Sequence, residues 1–176
     1  MENFGQGWCV LYTKPNHEKK VDEQLRKMNL SSYLPTVKKL RTWCDRKKYV
    51  DVPLFPSYVF VQIVNPQQYY KSLKIDGVLN YVRVGKRIAM VGDSIINDVR
   101  RVAINGNDVE ISSERFLNGT TLVIQEGPFA GFKCESIEYR GKQKLLVRIN
   151  DLRQNILLSV PAEILRCVST EYLAVS

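Results

Sequence analysis

The stretch that decides the fold is Pro53-Leu54-Phe55-Pro56-Ser57-Tyr58-Val59-Phe60-Val61. Its two prolines cannot donate hydrogen bonds to a sheet, so the first half of the stretch leads into a strand. From Tyr58 onward, Tyr58 and Phe60 share one face of that strand, and Val59, Val61 and Ile63 share the other. Because both faces are apolar, we expect a central strand that is covered on both sides.

The elements around this strand predict an α+β domain with an antiparallel sheet flanked by helices. Apolar runs predict the strands, and the spacing of Val21, Leu25 and Met28 predicts an amphipathic helix. In chain order the expected elements are a strand at 8–13, a helix at 16–29, a hairpin with arms at 33–43 and 48–52, a helix from 66, strands at 78–84 and 87–91, and a helix from 93 to 103.

After residue 106 the pattern changes to short strands alone. Five of them fit within about fifty residues, which favours a small closed barrel. We therefore expect a first domain over residues 1–106, a linker over 107–117 and an all-β barrel over 118–170. The predicted strands of the barrel are 120–125, 132–139, 144–149, 155–160 and 163–168.

The second domain also carries a helical pattern. The stripe is spaced at three and four residues, although the same segments alternate as strands, and Pro161 would disrupt a helix. We prefer the barrel, and a switch to a helical hairpin stays open. The stripe consists of Leu145, Ile149, Leu152, Ile156, Val160 and Ile164.

The net charge of +8 is concentrated in the first domain. Residues 38–48 hold six basic residues and one acidic residue, and they coincide with the predicted hairpin. The hairpin is either a solvated tip, whose lysines keep a sheet edge soluble, or a nucleic-acid contact. Trp43 lies in this run and either stacks on a base or packs under the hairpin.

Residue types that carry catalysis or bind metals do not form a recognisable pattern. The four cysteines have no CxxC spacing and, with the single His17, do not complete a zinc set. No phosphate-binding glycine motif or nucleophile elbow occurs. No apolar run approaches the roughly 18 residues of a membrane span. We expect a cytoplasmic, monomeric protein that is not an enzyme, has no cofactor and does not associate with a membrane.

Two motifs, in this order and at this spacing, carry a resemblance. The chain resembles NusG-type transcription elongation and antitermination factors over roughly residues 7–168. The resemblance implies an N-terminal NGN-type domain followed by an SH3-like KOW barrel. The motifs are Pro53-Leu54-Phe55-Pro56-Ser57-Tyr58-Val59-Phe60-Val61 and Gly127-Pro128-Phe129-Ala130-Gly131-Phe132.

The resemblance implies a factor that binds the clamp helices of RNA polymerase through its first domain and suppresses pausing or termination. The KOW domain is then expected to recruit a ribosomal protein or a termination factor. Phe55 and Tyr58 are the main anchors that the resemblance implies, because aromatic side chains dominate interfaces. Without the resemblance, the residues favour the alternative that both are core aromatics of a central strand. The full set of matching polymerase-binding positions is Tyr12, Phe55, Pro56, Tyr58 and Phe60.

Cys134 stands where the KOW motif normally has a glycine. Specialised RfaH-like and UpxY-like members also lack this glycine. This implies a role on particular long operons, such as those for polysaccharide biosynthesis, and a contact with the non-template DNA strand. Asp76 departs from the RfaH pattern, and an acid beside DNA would repel phosphate. A KOW-containing RNA- or ribosome-binding protein is the alternative. The expected nucleic-acid-binding residues are Lys14, Lys20, Arg41, Trp43, Arg46 and Lys47.

Overall fold

The computed structural model describes residues 7–42, 47–105, 109–112, 114–115, 117, 119–149 and 154–159, and the backbone of 165–167. The chain divides into two compact units between Ala103 and Ile104. Among the described helices, none combines the length and the apolar character needed to cross a bilayer.

The first part of the chain has the element order expected for an α+β domain. It contains β1 (Trp8–Thr13), α1 (Glu18–Lys27), β2 (Ser32–Tyr33), β3 (Thr36–Thr42), β4 (Lys47–Pro53), β5 (Tyr58–Gln62), α2 (Pro66–Leu73), β6 (Val78–Tyr81), β7 (Arg83–Val84), β8 (Arg87–Ile88), β9 (Met90–Val91) and α3 (Asp93–Asn105).

The main sheet has the order β2-β5-β1-β6, with β9 also paired to β1. The expected central strand is confirmed, because β5 lies between two antiparallel neighbours and Val59, Phe60 and Val61 are fully buried. One face of the sheet, which includes Leu11 and Val59, packs in a single core with residues of α1 and α2.

The helix α3 covers the opposite face at the Trp8 end of β1. The Trp8 indole N–H donates to the Asp93 carboxylate at 3.0 Å. The Arg100 guanidinium lies 5.8 Å from the centroid of the Trp8 ring and 5.1 Å from that of Tyr33. Tyr12 shares this face with Trp8 but lies four residues further along β1, about 13 Å away. The two faces are therefore covered by different helices.

The predicted hairpin is formed by β3 and β4, which make a two-stranded sheet of their own. Its register runs from Thr36 opposite Pro53 to Thr42 opposite Lys47. The expected extended arm from residue 33 is divided, because β2 ends before Pro35 and pairs with β5 instead. The turn at residues 43–46, with Trp43 and Arg46, lies outside the described residues.

After Asn105, the regular elements that the structure describes in the second unit are all strands. This unit contains β10 (Glu110–Ser112), β11 (Thr120–Ile124), β12 (Lys133–Tyr139), β13 (Lys142–Ile149), β14 (Gln154–Leu158) and β15 (Leu165–Cys167), in the spatial order β10-β14-β13-β12-β11-β15. The described strand pairs form an open path rather than a closed ring. Strand β10 falls in the segment expected to be a linker, and it pairs with β14 through only three residues.

The segments with the helical stripe are strands where the structure describes them. Leu145 and Ile149 lie on β13 and Ile156 lies on β14, and β13 pairs with β14 in an antiparallel register. The preference for strands over a helical hairpin is confirmed at these three positions. Leu152, Val160 and Ile164 lie outside the described residues.

Candidate functional site

A pair of partly exposed tyrosines lies on the same face of the main sheet as α3, at the opposite end of β1 from that helix. Tyr12 and Tyr58 are cross-strand partners on β1 and β5, and their ring centroids are 5.8 Å apart. Tyr12 is 43% exposed, Tyr58 is half-buried, and Pro56 before it is exposed. We call these three residues the tyrosine patch. It offers a rigid aromatic surface with two phenolic hydroxyl groups, which suits a protein interface.

Two of the expected polymerase-binding residues are buried in this structure. Phe55 is 1% exposed and Phe60 is 0% exposed. Their rings meet edge to face with centroids 6.0 Å apart, and the ring centroid of Tyr33 lies 6.3 Å from that of Phe60. Phe55, one of the two expected main anchors, is therefore not available at the surface. A direct contact from either phenylalanine stays a prediction, and it requires a rearrangement that uncovers the ring.

A buried carboxylate fixes the loop that presents the patch. Ser57 has a φ of +65°, an uncommon conformation for a residue other than glycine. Its N–H donates to Glu18 Oε1 at 2.8 Å, and its carbonyl accepts from the Thr13 N–H at 2.8 Å. Glu18 is 5% exposed at the start of α1. The helix thereby fixes the backbone of Ser57, which lies between Pro56 and Tyr58 of the patch.

The expected cations Lys14 and Lys20 converge on an acidic residue. Lys20 Nζ lies 2.6 Å from one oxygen of Asp76, and Lys14 Nζ lies 4.0 Å from the other. The hydrogen bond from Lys20, followed by its charge, holds the pKa of Asp76 below its ordinary value. All three side chains are more than half exposed, so this cluster is a surface network with much of its positive charge balanced.

The cations of the hairpin differ, because none forms an ion pair with a residue that the structure describes. Arg41 lies directly opposite Lys48, and Lys39 shares their face. Lys47 lies on the other face, opposite Thr42. Like charges directly across two strands are destabilising. The hairpin therefore holds an electrostatic conflict that a bound anion would relieve.

A groove runs between the inner face of the hairpin and the start of α1. Its volume is about 680 Å³. Lys39 and Arg41 lie on its wall beside the apolar side chains of Val50 and Val52, and Pro56 belongs both to this wall and to the tyrosine patch. Lys19 crosses from α1 and donates to the Asp51 carbonyl at 2.8 Å. The groove combines cations with apolar surface, a combination suited to a single-stranded nucleic acid.

The glycine-rich motif of the second unit forms a tight loop between β11 and β12. Gly127 and Gly131 have φ values of +80° and +84°, which glycine adopts without strain. Phe129 and Phe132 are buried, and their ring centroids lie 5.6 Å apart. The loop packs its own aromatic rings.

Cys134 lies on β12 after this loop, and it is buried as a free thiol. Burial, helped by the charge of Glu135, raises the pKa of Cys134 to about 11. The thiol is hence a small apolar filler rather than a nucleophile. Among the described residues, no three His, Cys, Asp or Glu side chains form a group that could hold a metal ion.

Sequence reasoning missed Glu18 and the groove. Glu18 and Ser57 are 39 residues apart, and the groove joins a hairpin to a helix, so neither follows from local patterns. The available signal for the role of Glu18 was its place as an acidic residue at the start of a helix. Such a residue normally indicates a surface position, where it interacts with the helix dipole.

Comparison with known proteins agrees with this geometry. The family model for NusG, described as a transcription termination factor, matches residues 6–100. The transcription termination/antitermination protein NusG of Borreliella burgdorferi is 25% identical over an alignment of 169 residues. The alignment covers 83% of this chain and 91% of that protein. A solved structure of Thermotoga maritima NusG is similar in fold, with a TM-score of 0.54, 21% identity, and coverage of 94% and 98% of the two chains. The chain belongs to the NusG family.

Proposed function

We propose that this chain is a transcription elongation and antitermination factor that binds the clamp helices of RNA polymerase through the tyrosine patch. The observation that carries the proposal is the partly exposed Tyr12–Tyr58 pair on a sheet whose other face packs in the core with α1 and α2. Aromatic anchors of this kind supply large contact area for little loss of entropy. The loop of Ser57 is already fixed by Glu18, so binding does not have to order it.

The hairpin contacts the single-stranded non-template DNA that the polymerase holds open. Lys39, Arg41 and Lys48 form no ion pair with any described residue, and they support this contact because phosphate groups would neutralise cations that face one another across the strands. Neutralising Arg41 and Lys48 together should flatten the salt dependence of DNA binding, which tests this contact separately from polymerase binding.

A specialised role and a protein partner for the second unit complete the proposal. Cys134 in the KOW motif sets this chain apart from a general elongation factor, and Asp76 beside Lys14 and Lys20 sets it apart from the RfaH pattern. We infer that it acts on particular long operons, such as those for polysaccharide biosynthesis. The KOW unit recruits a ribosomal protein or a termination factor, which suits a net charge much lower than that of the first unit.

The test is a pull-down of core RNA polymerase combined with a pausing assay. Wild type should capture the polymerase and shorten pauses, and Tyr58→Ala should lose both effects. Tyr70→Ala is the matched control, because Tyr70 is 63% exposed on α2, which packs on the other face of the sheet. If wild type neither binds the polymerase nor changes elongation, and binds RNA or ribosomes instead, the chain is a binding module of another class.

A further inference from the structure

The two groups of cations in the first unit differ in whether an acid neutralises them. Asp76 lies within 2.6 Å of Lys20 and 4.0 Å of Lys14, so these three side chains carry a net charge of only +1. Lys39, Arg41 and Lys48 on the inner face of the hairpin carry +3 and have no acidic partner among the described residues. A polyanion that approaches the first unit therefore meets two surfaces of unequal potential.

A phosphate group that reached Lys20 would have to displace the Asp76 carboxylate or lie next to it. Displacement gives up a charge-assisted hydrogen bond, and coexistence places two anions side by side. Glu18 and Asp51 also line the groove, but neither forms an ion pair with Lys39 or Arg41, and the Glu18 carboxylate is buried and accepts from the Ser57 N–H. A phosphate can therefore reach these cations without displacing a carboxylate from them, and the groove also offers Val50, Val52 and Pro53 as apolar surface for bases.

We propose that Asp76 is a specificity-determining residue that withholds Lys14 and Lys20 from single-stranded DNA, so that the strand follows the groove of the hairpin. This proposal rests on the DNA contact proposed above, and it states which surface of the first unit the DNA strand follows. Lys14 and Lys20 then act as partners of Asp76, and the DNA contact is narrowed to β3 and β4.

The experiment compares Asp76→Asn with Glu23→Gln in the full chain. Glu23 is an exposed acid on α1 that pairs with Lys27 at 2.7 Å, so its replacement changes the net charge equally without freeing Lys14 or Lys20. Binding of fluorescein-labelled oligodeoxythymidylate is followed by anisotropy over a series of salt concentrations. Circular dichroism checks that both variants keep the fold.

Asp76→Asn should bind roughly fivefold more tightly than Glu23→Gln at low salt, because two lysines become available to phosphate. Its slope of log affinity against log salt should be steeper by about 1.4, the value for two added contacts with a single strand. Adding Lys14→Gln and Lys20→Gln to Asp76→Asn should remove the whole gain.

Equal affinities and equal slopes for Asp76→Asn and Glu23→Gln would overturn the assignment of Asp76. The DNA contact would survive that result if Arg41→Gln/Lys48→Gln still flattened the slope of the wild type. If neither wild type nor Asp76→Asn bound the oligonucleotide at low salt, the DNA contact and the role of Asp76 would both be wrong.

Discussion

The tyrosine patch and the groove beside the hairpin share Pro56, yet the patch and the hairpin are built in opposite ways. The patch stands on the two central strands of the main sheet, and a buried carboxylate fixes its loop. The hairpin is a two-stranded sheet apart from the main one, with Arg41 directly opposite Lys48. The patch has a fixed backbone and the hairpin carries a charge conflict, and we propose that the patch binds a protein partner and that a polyanion relieves the conflict in the hairpin.

The largest effect is expected from removing both rings of the patch. Tyr12→Ala/Tyr58→Ala should weaken polymerase binding by about 2–4 kcal/mol, roughly a hundredfold, because both anchors of the interface are lost. Titration of labelled chain with core polymerase measures this. The same variant should bind oligodeoxythymidylate as the wild type does. A comparable loss of DNA binding would mean that the patch and the hairpin are one surface.

Glu18 offers an intermediate effect that acts through the loop. Glu18→Ala leaves the Ser57 N–H without its acceptor and should cost about 1–3 kcal/mol of unfolding free energy. Polymerase affinity should fall as well, by less than in the double tyrosine variant. Glu18→Gln keeps an acceptor oxygen and should recover part of both losses. A loss of stability with unchanged polymerase affinity would show that the loop need not be held for binding.

A smaller effect, with opposite signs for function and stability, is expected at the hairpin. Arg41→Gln/Lys48→Gln should weaken binding of single-stranded DNA severalfold and reduce the salt slope by about 1.4. The same change should raise the unfolding free energy by about 0.2–1 kcal/mol, because it removes like charges across the strands. Anisotropy titrations and thermal unfolding measure the two effects. A less stable variant with an unchanged salt slope would contradict the DNA contact and favour the interpretation of the hairpin as a solvated tip.

The smallest effect concerns pH. The hydrogen bond from Lys20 holds the pKa of Asp76 below its ordinary value, so the carboxylate stays charged as pH falls and is protonated only in strong acid. From about pH 8 to pH 5, DNA affinity should therefore change less than twofold. The measurement uses a chain that carries His17→Gln, so that the charge of His17, which interacts with Asp76, does not contribute to the pH dependence. A rise in affinity near pH 5 as large as that of Asp76→Asn would contradict the account.

Local patterns were enough to predict most of the elements but few of the contacts between them. The apolar run of β5 predicts its central place, since a strand with two apolar faces must be covered twice. Strand β10 was missed because three residues give no periodicity. The resemblance implied that Phe55 and Phe60 contact the polymerase, whereas a strand covered on both faces favours buried aromatic rings, and both residues are buried.

Contacts between residues distant in sequence explain the rest of what was missed. The sequence shows that the charge of Asp76 is unfavourable to DNA. It does not show the hydrogen bond from Lys20 to Asp76, because the two residues are 56 positions apart in the chain. The groove depends on how the hairpin lies against α1, which composition does not determine. The surface chemistry of this chain therefore follows from its tertiary structure more than from its motifs.

Site-specific photocrosslinking tests the central claim most directly. A benzoylphenylalanine introduced at Tyr12 should crosslink to the clamp helices of RNA polymerase, and the same probe at Tyr70, on the opposite side of the main sheet, should not. Crosslinks from Tyr70 but not from Tyr12, or from neither position when the polymerase is saturated with the factor, would contradict docking through the tyrosine patch.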